Sequence, residues 1–186
     1  MFSADKKGLG VGQVFVFIVA AITFAFIMIF GYRAISGFLQ SGEDIAFVQF
    51  KTGLESSIKK LYTEYGSVRV EAFTTPTKYQ QICFVDLDAG YDEILCNLDQ
   101  VACSVWKDAQ EIRTDENGKQ LTGYDVVDEN VFLKPPAPVK IKVHKISIAP
   151  DEGKGFLCLL IKQGSFSMVL EGKGDRTELS KVPSSC

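Results

Sequence analysis

Between Lys7 and Arg33 the chain carries no acid and no base, and residues 14–30 read VFVFIVAAITFAFIMIF, apolar but for one threonine. No later stretch matches it in length and apolarity. At about 1.5 Å per residue, a helix over residues 9–35 covers the roughly 30 Å hydrocarbon core of a bilayer. The run outlasts the apolar part of a cleavable secretory signal, about 7 to 15 residues, and no A-x-A exit follows it. The sequence therefore predicts one retained span near the N-terminus and a domain in water after it. Lys6 and Lys7 precede the span, whereas Arg33 is followed by Glu43 and Asp44. The positive-inside bias then sets residues 1–8 in the cytoplasm and everything from about residue 36 outside it.

The remainder, roughly 145 residues, suffices for one domain with its own core. Over residues 36–66, Ile45, Val48, Leu54, Ile58, Leu61, Tyr62 and Tyr65 recur at spacings near three and four, the pattern of an amphipathic helical stalk. Gly37 and Gly42 are candidate kinks, Ser41 with Asp44 approximates a capping box, and Gly66 suits a C-terminal cap. From residue 67 the period changes to two. Val68, Val70 and Ala72 alternate with Arg69 and Glu71, and a second strand follows at Ile82-Cys83-Phe84-Val85. Val139, Ile141 and Val143 share one parity and Ile146 and Ile148 the other, so a bulge is expected near His144 and Lys145. Residues 156–162 are continuously apolar, as in a strand covered on both faces, and Gln163-Gly164 reads as a turn into Phe166, Met168 and Leu170. The last fifteen or so residues supply an edge strand. Residues 86–130 decorate this β core with a short helix over 94–105 and a turn at Asp115-Glu116-Asn117-Gly118, before a Pro135-Pro136-Ala137-Pro138 connector. The expected fold class is α+β: a long N-terminal transmembrane and amphipathic helix, then an antiparallel β-sandwich-like domain over residues 67–186.

All five cysteines, Cys83, Cys96, Cys103, Cys158 and Cys186, lie on the side expected outside the cytoplasm, where disulfides persist. Their connectivity does not follow from the sequence. Cys83 and Cys158 fall in apolar strands, where a buried thiol fits as well as a bridge. Cys96 and Cys103 would stand about 10.5 Å apart along a straight helix. A disulfide holds its Cα atoms about 4.4 to 6.8 Å apart, so that pairing requires a bend. Cys186 sits on a Pro-Ser-Ser tail, suited to tying down the terminus or to an intermolecular link.

A net charge of −3 without a basic cluster argues against nucleic-acid binding, which needs concentrated cations against phosphate. There is no C-x-x-C, His144 is the one histidine, and no G-x-S-x-G elbow accompanies it. Neither a metal site nor a histidine-dependent hydrolase is expected, and no cofactor is implied. Asp86, Asp88, Asp92, Glu93 and Asp99 cluster in sequence, but their spacing is not that of a twelve-residue calcium loop and reads as a solvated acidic segment. Trp106 and Phe132 are expected in the core.

Lys6-Lys7-Gly8, followed by Leu9-Gly10-Val11-Gly12-Gln13 and the apolar run, resembles the leader of type IV pilin-like proteins, in the short basic form of archaeal prepilins. The resemblance implies cleavage after Gly8 by a prepilin peptidase, a mature chain beginning at Leu9, and Gln13 as its fifth residue, where bacterial pilins carry glutamate. It also implies a non-enzymatic structural subunit of the cell surface that self-associates through its N-terminal helix into a filament. The contrasting expectation is a monomeric, single-pass anchored binding module, a receptor or secretion-machine accessory using the loops between Asp86 and Asp115.

Overall fold

The computed structural model describes residues 11–111, 113–116, 118–150 and 155–183. The chain divides into two units, Met1–Ile45 and Ala46–Cys186.

The first unit contributes most of helix α1 (Val11–Tyr62), including Val14–Ile35, long and apolar enough to cross a membrane. Residues 14–30 are exposed on every side of the helix. The threonine inside the run does not interrupt it. Thr23 turns its hydroxyl back to donate to the Val19 and Ala20 carbonyls, at 3.0 and 2.9 Å, so its polar group is satisfied within the helix. Helical hydrogen bonding also continues through Gly37 and Gly42, where the sequence had suggested a kink.

The second unit opens with the last turns of α1. Phe47, Phe50, Leu54, Ile58 and Leu61 recur at steps of three and four and are all buried. This stripe differs from the expected one: Leu54, Ile58 and Leu61 belong to it, but Ile45, Val48 and Tyr65 are exposed, and the two phenylalanines define its start. From Ala46 onward the helical stalk belongs to the second unit, and its buried stripe is part of that unit's core. After Tyr62 the chain turns, with Gly66 at φ +74° donating its N–H to the Gly172 carbonyl at 2.8 Å. That backbone angle favours glycine.

Two sheets follow. Strands β1 (Val68–Thr74), β2 (Gln81–Val85), β3 (Val131–Lys134), β4 (Ile146–Ile148), β5 (Phe156–Leu160), β6 (Ser165–Gly172) and β7 (Thr177–Lys181) form a four-stranded sheet of order β1-β6-β7-β4 and a three-stranded sheet of order β3-β2-β5. Every pair is antiparallel except β4 with β7, which is parallel. The terminal strand therefore departs from the expected edge position: β7 lies between β6 and β4. Val139, Ile141 and Val143 form no strand, and only an isolated bridge joins Ile141 to Val131. The Pro135-to-Pro138 segment before them lacks the donors a ladder needs. His144 and Lys145 lie in a bend ahead of β4, where a strand bulge had been expected.

The three-stranded sheet is covered on both faces, which accounts for its continuously apolar strands. Ile82, Phe84, Val131, Leu133, Leu157 and Leu159 face one core, shared with α1 and with Phe73, Phe166, Met168, Leu170 and Leu179 of the other sheet. Cys83, Val85, Phe132 and Phe156 face a second core built on Leu95, Ala102 and Trp106. That second layer comes from α2 (Ile94–Leu98), α3 (Gln100–Gln110) and α4 (Gly123–Val126). Asp99 separates α2 from α3 with an extended backbone, and its carboxylate caps α3 by accepting from the Val101 and Ala102 amides.

Candidate functional site

Three features carry chemistry: the apolar surface of α1, the cysteine pairs, and a polar cleft where the two sheets meet the helical layer. Of the predicted leader residues, Gly8 and Leu9 lie outside the described residues, as do Lys6 and Lys7; Gln13 lies in the first turns of α1. From Val14 to Gly31 the helix carries no charge, and its one side-chain hydroxyl, on Thr23, is bonded within the helix; Tyr32 and Arg33 follow. Such a surface associates with lipid chains or with other apolar helices.

The structure pairs Cys83 with Cys158 and Cys96 with Cys103. Cys83 and Cys158 stand directly opposite one another on β2 and β5, so the ladder register itself brings their Cα atoms to 4.0 Å. The other bridge uses the break at Asp99: Cys96 lies in the middle of α2, Cys103 in the first turn of α3, and their Cα atoms come to 4.8 Å. The hydroxyl of Tyr91 lies against both sulfurs of that bridge, at 2.7 and 3.3 Å. Cys186 lies outside the described residues.

The polar cleft has a volume of about 180 Å³. Asp86 leaves the end of β2 and is buried, accepting from the Asp88 amide at 3.0 Å while its own N–H donates to the Gly155 carbonyl at 2.8 Å. Desolvation raises its carboxyl above the ordinary value of 3.8, partly offset by the Asp88 amide. Opposite it, the Tyr124 hydroxyl is fixed between the Ile146 N–H, which donates to it at 3.0 Å, and the Ile146 carbonyl, to which it donates at 3.2 Å. Burial pushes that phenol well above its usual value. Lys145 approaches Asp88 at 3.6 Å, and Arg176 pairs with Asp175 at 2.7 Å. Each cation of the cleft already has a carboxylate, so the group is an internally neutralised network rather than an anion-binding cluster.

The acids singled out from sequence are not gathered around one centre. Asp86 and Asp88 belong to the cleft, Asp92 accepts from the Ile94 amide at 2.8 Å, and Asp99 caps α3. Glu93 precedes α2 without a capping bond. Among the described residues no three histidine, cysteine or carboxylate side chains are grouped to hold a metal ion. His144 is exposed and rests on the Tyr62 ring, centroids 4.0 Å apart. Partial desolvation, then Lys59 and Lys145, lower its pKa below 6.5. Sequence reasoning missed Lys145, Tyr124 and Arg176, which come from three separate segments and meet only once β4 and β7 pair. No local spacing records that. Comparison of the chain with protein-family models, with curated proteins and with solved structures finds no match.

Proposed function

We propose that this chain is a non-enzymatic, single-pass membrane protein, with its N-terminus cytoplasmic and its β-rich domain outside, and that it serves as a pilin-like structural subunit. The observation that carries this reading is the Val14–Ile35 segment, a helix apolar all round whose surface no other described part of the chain covers. Leaving such a surface in water costs about 25 cal/mol per Å², so it requires lipid or a sheath of like helices. The Lys6-Lys7-Gly8 leader pattern supports processing by a prepilin peptidase and release of the helix from the bilayer into a helical bundle. Two disulfides in one small domain suit an oxidising exterior. The two sheets, sharing one core, are read as a sandwich-like surface domain carried by that helix.

Mass spectrometry of the mature protein tests the assignment. A chain beginning at Leu9, recovered in sheared surface fractions, is the expected result. An intact leader on protein that stays wholly with the membrane contradicts the subunit reading and leaves a monomeric anchored module.

A further inference from the structure

Strand β1 is the outermost strand of the four-stranded sheet and is paired on one side only, with β6. The Gly172 N–H donates to the Ser67 carbonyl and the Thr75 N–H to the Gly164 carbonyl. In an antiparallel ladder these two bonds fix the odd-numbered residues as those turned toward β6, so Val68, Val70 and Ala72 turn their peptide groups to the open edge. Natural edges are usually blunted by charged side chains, lysine above all, or by proline, a bulge or brevity. Between Val68 and Thr74 this one runs for seven residues with neither lysine nor proline, and its two charges, Arg69 and Glu71, are of opposite sign and so complement a second copy rather than repel it. The same even-numbered residues expose their side chains: Val68 is 60% and Val70 63% exposed, beside half-buried Val169 of β6.

We propose that β1 pairs antiparallel with β1 of a second copy about a two-fold axis through Val70, joining two four-stranded sheets into one. Charge selects this register. With Val70 opposite Val70, Arg69 of each copy faces Glu71 of the other, and Val68 faces Ala72. Sliding by two residues either way sets Arg69 against Arg69 or Glu71 against Glu71, and like charges directly opposite one another are destabilising. Sliding by one residue turns inward-bonded peptides to the edge and loses the ladder altogether. Arg69 already holds Glu64 of its own chain at 2.7 Å, but a guanidinium has donors for both carboxylates. Glu71 has no ion-pair partner among the described residues, and the second copy supplies one. On the other face, Val68, Val70 and Ala72 of both copies close into one apolar strip. The contact is isologous and therefore stops at a dimer. It uses only residues of the second unit and is independent of the role proposed for α1.

The test uses the full chain in detergent with Cys186→Ser, so that no terminal thiol contributes. Val70→Cys places two thiols across a hydrogen-bonded pair, Cα atoms about 5.5 Å apart and within disulfide reach. Mild oxidation should give covalent dimer at least ten-fold above Leu160→Cys, a control that is also exposed, at 69%. Adding Arg69→Glu or Glu71→Arg to Val70→Cys should each cut the yield at least five-fold. Co-expressed with different tags, those two chains should recover the mixed dimer, since both cross-strand pairs are then complementary; recovery also shows that each variant folds. Equal yields at positions 70 and 160, single charge variants that cross-link like the parent, or a mixed pair that stays uncoupled would each overturn the proposal.

Discussion

Asn130 shows how much of this domain rests on single polar residues. Its fully buried amide accepts from the Val143 N–H at 2.8 Å and donates to the Val143 carbonyl at 3.3 Å, taking the place of a strand ladder in a segment that otherwise pairs through the isolated bridge of Ile141 with Val131. Asn130→Ala leaves both backbone groups buried without partners and should cost about 2 to 4 kcal/mol, read by chemical denaturation. Gly172 is constrained by space: an added Cβ would lie against the Glu64 and Leu61 carbonyl oxygens at the end of α1. Asp86 is a titration marker. Because burial raises its pKa, the folded state holds that proton more tightly than the unfolded chain. Its contribution is complete below the ordinary value of 3.8 and fades as pH rises through the raised one. Asp86→Asn keeps the acceptor for Asp88 and removes this dependence, so the difference in melting temperature between parent and variant should change across the acid range and level off above it. A constant difference would remove Asp86 as the cause. His144, depressed in the opposite sense, is common to both proteins and cancels. At this scale the sequence was readable where apolar area decides the outcome: Trp106, expected in the core, is fully buried there. It was unreadable where the use depends on a remote partner, as with Asn130 and Val143.

At the scale of elements, periodicity shows which residues share a face but not which face is buried. Strand β1 alternates as expected, yet Val68 and Val70 point outward while Arg69 and Glu71 share the inner parity with Phe73. Phe73 decides this, because its ring stacks on Phe166 at 5.4 Å within the core and outweighs two smaller valines at an edge. The helix behaves similarly. Phe47 and Phe50 rotate the buried stripe away from Ile45 and Val48. Leu54→Ala, at the centre of that stripe, should destabilise the domain by about 2 to 5 kcal/mol. A loss under about 1 kcal/mol would mean that this half of α1 is not part of the domain's core. The disulfides separate by the loops they close, 75 residues for Cys83 with Cys158 and 7 for Cys96 with Cys103. On chain entropy alone the first contributes about 4.5 kcal/mol and the second about 2.5, so paired serine replacements should lower stability in that order.

For the whole molecule, the division of labour between a lipid-compatible helix and a domain with its own core was legible because both signals are long: an uncharged run at one end and period-two strands after it. The sheet order was not, since the parallel pairing of β4 with β7 joins segments about thirty residues apart whose local patterns resemble any short strand. In the proposed topology, α1 leads the second unit out of the cytoplasm. Labelling of intact cells carrying the exposed Lys140→Cys substitution with a membrane-impermeant maleimide tests it most directly. Full labelling without permeabilisation is expected; labelling only after the cells are opened would place the second unit in the cytoplasm and overturn the proposed topology.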